Sequence, residues 1–266
     1  MKTSRPNSLR LYLIRHGETE WSLSGRHTGR TDISLTQNGE DEARELGKHL
    51  RDIPFANVLT SPLKRALQTC ELVGLDKVPE IEADLAEWDY GDYEGQRSAD
   101  IHKERPDWDI YRDDCPRGEM PEQVSDRADR VITRLRKLDG NIALFSHGQI
   151  GGVLAARWIG LAVAEAKHFM LGTASLNIFT FDPHHPAVPV IALLNSVSHE
   201  TVNPVPSYSD SGTMTRNQRA LERWKNEEEK IQQPALSQEK NIAPLTTLAA
   251  WQALVAHYPK VRDLHL

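Results

Sequence analysis

Two histidines each end an apolar run and precede a glycine: His16 in "LIRHG" and His147 in "FSHG". Arg15 stands directly before His16, and Arg65 follows the run "NVLTSPLKR". A neutral imidazole, with an ordinary pKa of about 6.5, is a nucleophile near neutral pH. A guanidinium offers a planar fork of donors that suits phosphate. Two arginines and two histidines gathered in one pocket would hold a doubly charged anion, phosphate first among them. A histidine placed there could attack a phosphoryl group and carry it as phosphohistidine, splitting one hard displacement into two. A leaving alkoxide then needs a proton, and Glu87 in "DLAEWDYGDYEG" is the candidate acid.

The surrounding elements give these residues a way to meet. Residues 9–14 read as a strand and 58–60 as a second short one. "NIALFSHGQIGGVLAARWIGL" reads as strand, turn and helix. Apolar spacing predicts helices over 36–51 and 121–138, and late strands over 174–181 and 188–194. Ser61 and Pro62 read as the cap and first residue of a helix running to about Val73. Residues 80–95 read as a short strand and an acidic loop. Helices alternating with short strands predict an α/β fold with a mostly parallel central sheet. Ligands of such sheets sit beyond the carboxyl ends of the strands. Arg15, His16, Arg65 and His147 all fall there, with helix N-termini after Ser61 and near Gly148 expected to add positive dipole ends.

Composition sets bounds. The chain has 266 residues and a formal net charge of −6, so no global basic field points to nucleic acid. Its two cysteines, Cys70 and Cys115, make neither a disulfide framework nor a CxxC zinc motif. No apolar run is long enough for a bilayer, and no signal-peptide core is evident. A soluble, cytoplasmic protein is expected. The paired histidines of "DPHHP" lack a third ligand at a telling spacing, so no metal site is assigned. Composition shifts after about Asn195 towards a polar, proline-containing stretch. Residues 1–200 are therefore expected to form the catalytic domain, and 201–266 an extension of linker plus helices. Trp224 and Trp251 in that extension are expected to dock onto the body or a twin subunit, which leaves a homodimer open.

The motifs "RHGETEWSLSGRHTGRTDISLTQNGEDEA", "LTSPLKRALQT", "DLAEWDYGDYEG" and "ALFSHG" occur in the order seen in the histidine phosphatase superfamily, which the chain resembles over roughly residues 9–160. The resemblance implies a helix-flanked α/β sandwich and catalysis without a metal or other cofactor. It implies that His16 is phosphorylated, that Arg15, Arg65 and His147 clamp the phosphoryl group, and that Glu87 handles the proton. Gly17, Ser22, Thr28, Gly29, Trp88, Tyr90 and Gly148 are the implied substrate-binding positions.

"TEWSLSGRHTGRTD", "EWDYGDYEG" and "YRDDCPRGE" look most like a sugar-bisphosphatase branch. The interval between Glu87 and His147 lacks the insertion typical of phosphoglycerate mutases. Hydrolysis of a small phosphorylated metabolite is therefore expected, with mutase activity and non-catalytic phospho-ligand binding as alternatives. Lys103, Arg105, Arg112 and Arg117 are candidates for a second phosphate. Gln149 and Gly152 stand where related bacterial sequences often carry His and Arg.

Overall fold

The computed structural model describes residues 9–197, so the expectations placed on 201–266 lie outside the described residues. Among the described residues, six strands form one sheet: β1 (Arg10–Arg15), β2 (Phe55–Thr60), β3 (Glu80–Ile81), β4 (Asn141–Ser146), β5 (Leu176–Phe181) and β6 (Pro189–Ser196). Their order is β3-β2-β4-β1-β5-β6. The first four are mutually parallel, and β5 and β6 close one edge antiparallel.

The central strands are continuous apolar runs because both faces of the sheet are covered. Alternation assigns the faces. Leu11 and Leu13 of β1, with Ile142 and Leu144 of β4, join the core formed with α5 (Pro121–Leu135) and α6 (Gly148–Trp158). Tyr12, Ile14, Ala143 and Phe145 point the other way, to α2 (Gln37–Leu50) and α3 (Lys64–Val73). This is the expected layered α/β sandwich with a mostly parallel sheet. Two short helices, α1 (Glu20–Ser24) and α4 (Ser98–Glu104), lie in the connections.

Three sequence expectations change. Helix α3 begins at Lys64 with Leu63 as its cap residue, and no side chain caps it there. The Lys64 N–H donates instead to Asp32, 2.7 Å away, so Ser61 and Pro62 precede the helix rather than open it. Helix α4 lies beyond the 80–95 loop, in a stretch given no element from the sequence, and a 3-10 helix over Val163–His168 follows α6. Strand β6 runs on to Ser196, past the composition shift at Asn195. The Asn195 side chain accepts the Gly172 N–H at 2.6 Å, and its own N–H donates to Asn177 at 2.7 Å.

One backbone contact fixes the turn after β1. A Cβ on Gly17 would lie 2.3 Å from the Gly39 carbonyl oxygen, and one on Gly39 would lie 2.2 Å from that of Glu18. Two glycines thus let the turn after His16 rest directly on the first turn of α2. Gly to Ala in a helix ordinarily gains about 1 kcal/mol. Here the neighbour is backbone and cannot rotate away. Gly39→Ala is therefore expected to lower stability by about 1–3 kcal/mol through overpacking, read as a lower urea midpoint. A raised midpoint would overturn this account of the contact.

Candidate active site

The parallel register lines up the chemistry. Arg15 pairs with Ser146, and Thr60 with Phe145, on either side of β4 and its neighbours. The next residue of each strand is therefore His16, Ser61 or His147. The ladder continues past the strand ends: His16 N–H donates to Ser146 at 3.0 Å, and Ser61 N–H to Phe145 at 2.9 Å. The His16 and His147 rings end 5.2 Å apart.

His16 Nδ1 lies 2.8 Å from the Gly17 carbonyl, which can only accept. Nδ1 therefore carries the proton, and Nε2 keeps its lone pair. His147 Nε2 lies 2.7 Å from Ser61 Oγ. With the Ser61 hydroxyl donating there, His147 presents Nδ1–H. Arg65 is fully buried, and three main-chain carbonyls accept from it: Thr28 at 2.8 Å, Gly29 at 3.0 Å and Thr31 at 3.1 Å. Arg15 donates to the Leu171 carbonyl at 2.5 Å. Arg15 Nε, Arg65 Nε and His147 Nδ1 are buried without a protein partner among the described residues. Such atoms are costly unless an acceptor reaches them.

Glu87 completes the group. Its Oε1 accepts from the Trp88 and Ile150 N–H groups, both at 2.9 Å, and Oε2 from Gln149 at 3.0 Å. The first turn of α6 thus holds the carboxyl group rather than facing the cavity as an open dipole end. Oε2 retains an uncommitted lone pair at which a proton can be held or passed. Arg127 of α5, an arginine on a buried helix face, clamps the preceding loop. It donates to the carbonyls of Asp84, Ala86 and Glu87 and pairs with Glu119 at 2.8 Å.

A cavity of about 460 Å³ opens over these residues. Arg15, His16 and Glu87 line it, as do Ser22, Thr28, Tyr90 and Gly148. Arg65 and His147 are fully buried and lie outside its lining. The Ser22 hydroxyl is committed to Thr19 in the α1 capping box, and that of Thr28 donates to Arg26. Gly148 backs the Arg15 guanidinium, since a Cβ there would sit 3.4 Å from Arg15 Nε.

Gly17, Gly29 and Trp88 are not in the lining. Gly17 packs on Gly39, Gly29 offers its carbonyl to Arg65, and the buried Trp88 indole donates to Glu119. The four candidates for a second phosphate are also elsewhere. Lys103 pairs with Asp100, Arg105 with Asp114, Arg112 with Asp109 and Arg117 with Asp92. The lining also includes Arg26, His27 and Tyr111, which lie inside recognised motifs but drew no role from the sequence, Gln149 beside His147, and Lys167, which lies outside every motif. Tyr111 donates to the Gln149 side chain at 2.9 Å, and His27 stacks on Tyr90 at 4.5 Å.

Burial, followed by the charges of the two arginines, holds His16 well below the ordinary histidine pKa. Burial does the same for His147, with Arg65 the next cause. Both rings are neutral at pH 7. In the unfolded chain they take up protons near pH 6.5, whereas in the folded chain they do not. As pH falls through 6.5 the unfolded state binds more protons, so stability falls, by up to about 1.4 kcal/mol per pH unit for each ring. The urea midpoint is expected to drop between pH 7 and 5.5, with a shallower slope for His16→Asn. A midpoint that rises on acidification would contradict the buried neutral pair.

Comparison with known proteins places this arrangement. The model of the histidine phosphatase superfamily (branch 1) matches residues 11–193. An acid phosphatase of Mycobacterium tuberculosis is 42% identical over an alignment of 177 residues that covers 65% of this chain and 87% of that protein. A sedoheptulose 1,7-bisphosphatase of Saccharomyces cerevisiae is 37% identical over an alignment of 189 residues that covers 59% of this chain and 69% of that protein. The solved structure of an open reading frame product of M. tuberculosis matches with TM-score 0.65 at 39% identity, covering 70% of this chain and 96% of that one. The family match spans β1 and β4, which end just before His16 and His147, and α3, which carries Arg65. The chain belongs to the histidine phosphatase superfamily, branch 1, and is a phosphoric monoester hydrolase.

Proposed function

We propose that the protein hydrolyses a phosphomonoester of a small metabolite, a sugar phosphate or bisphosphate, through a phosphohistidine on His16 and without a metal ion. The observation that carries this reading is the His16 ring. Its Nδ1–H is committed to the Gly17 carbonyl, so the lone pair is on Nε2, among donors that have no protein acceptor. The relatives named as phosphatases support hydrolysis, and one of them is named for a sugar bisphosphate.

In the first step His16 Nε2 forms a bond to phosphorus and the bond from phosphorus to the ester oxygen breaks. Arg15, Arg65 and His147 Nδ1–H take up the charge on the phosphoryl oxygens. A proton on Glu87 Oε2 goes to the leaving alkoxide. The Gly17 carbonyl stabilises the positive ring through Nδ1–H. In the second step Glu87 accepts a proton from water as the water oxygen bonds to phosphorus. The bond to Nε2 then breaks, and phosphate leaves a neutral His16.

His16→Ala is expected to lose essentially all turnover, and retention of a tenth of the wild-type kcat would sink the assignment. Glu87→Gln is expected to slow release from sugar phosphates far more than from p-nitrophenyl phosphate, whose leaving group needs little protonation. Equal losses on the two would argue against Glu87 as the acid. Phosphate release should survive EDTA. Conversion of 3- to 2-phosphoglycerate without phosphate release would replace hydrolysis by a mutase reaction.

A further inference from the structure

The cavity carries more positive charge than one phosphoryl group needs. Arg15 and the underlying Arg65 serve the anion at His16. Arg26 and Lys167 also line the cavity, and neither forms an ion pair among the described residues. Glu87 is the sole carboxylate in the lining among the described residues. His27, in the same lining, adds no charge at pH 7, since burial lowers its pKa to about 4.

The backbone sharpens the imbalance at Arg26. Arg26 and Arg97 face each other in an isolated antiparallel bridge. Like charges opposite one another in such a pair are destabilising, and an anion between or beside them relieves that cost. Arg97 acts on Asp100 only weakly, and Asp100 is already paired with Lys103 at 2.6 Å. Arg26 itself rests against the Trp21 ring at 6.0 Å, a contact that leaves its N–H edge free.

Lys167 reaches the cavity through a different device. A Cβ on Gly152 of α6 would lie 3.0 Å from the Phe169 carbonyl oxygen and 3.2 Å from that of Ala166. The bare glycine lets residues 166–169 lie close on α6, and Lys167 is carried to the cavity with them. Lys103, Arg105, Arg112 and Arg117 are already occupied by carboxylates. Among the described lining residues, Arg26 and Lys167 are the cations left to meet a second charge on the substrate.

We propose that Arg26 and Lys167 form a second anion subsite that selects phosphomonoesters carrying a further phosphate or carboxylate. This inference rests on the phosphatase reading above. Its test compares kcat/KM for fructose 1,6-bisphosphate with that for fructose 1-phosphate and fructose 6-phosphate. A parallel arm compares 3-phosphoglycerate with glycerol 3-phosphate, and p-nitrophenyl phosphate reports the bare chemistry.

Wild type is expected to prefer the doubly anionic member of at least one arm by tenfold or more. The arm that shows it tells phosphate from carboxylate. Arg26→Gln and Lys167→Met should each cut that preference at least threefold, mainly through KM. The double variant and Lys167→Glu should all but abolish it. A wild type that hydrolyses p-nitrophenyl phosphate without either preference overturns the subsite and leaves the phosphatase reading intact. So do variants that lose all substrates in proportion. A wild type inert towards every ester overturns the phosphatase reading and the subsite with it.

Discussion

The site depends on how its buried guanidinium is held. Arg65 has no exposed surface, and main-chain carbonyls from Thr28, Gly29 and Thr31 accept from it. Burying a charge without partners is prohibitively costly. Neutral carbonyl partners meet that cost without cancelling the charge, as a carboxylate would. The 28–31 loop must then be fixed in turn, and Glu94 does so by accepting from the Gly29 and Thr31 N–H groups at 2.9 and 3.1 Å. The same uncancelled charge helps to keep the adjacent histidines neutral. A field suited to an anion and a ring suited to attack are thus one arrangement.

The acid side of the site is built on the opposite principle. Glu87 is a carboxyl group gripped by N–H donors of α6 and of its own neighbour, while Arg127 pins the loop that carries it. Ser146, at the end of β4, adds a buried hydroxyl bond to the Leu85 carbonyl at 2.8 Å. Strand β4 therefore positions both halves of the chemistry: His147 follows it directly, and the Glu87 loop is tied to it. Rigid support from sheet and helix is what a preorganised constellation needs.

The strands that end in Arg15–His16, Thr60–Ser61 and Ser146–His147 were legible because interior parallel strands are unbroken apolar runs. A charged or polar residue stands out at their ends. Ser61 misled because its type fits a helix cap, while its hydroxyl is recruited by His147 across 86 residues of sequence. Lys103 and Arg112 looked free, yet their partners Asp100 and Asp109 stand three residues earlier, a spacing visible in the sequence. Arg105 and Arg117 pair with Asp114 and Asp92 through tertiary folding and gave no such clue. Gly17 and Gly29 sit inside recognisable motifs but serve backbone packing and a carbonyl contact. Lys167 follows His147 by 20 positions with no motif of its own, and only the close approach at Gly152 puts it at the cavity.

The unpartnered N–H groups of Arg15, Arg65 and His147 have a thermodynamic consequence beyond turnover. A buried donor left without any acceptor costs roughly 1–3 kcal/mol. An inert oxyanion that accepted from all three would return part of that cost and would bind the folded chain alone. By mass action, such an ion at a hundred times its dissociation constant would add about 2.7 kcal/mol to the folding free energy. The donors that face the anion would then tie stability to the anion content of the surroundings.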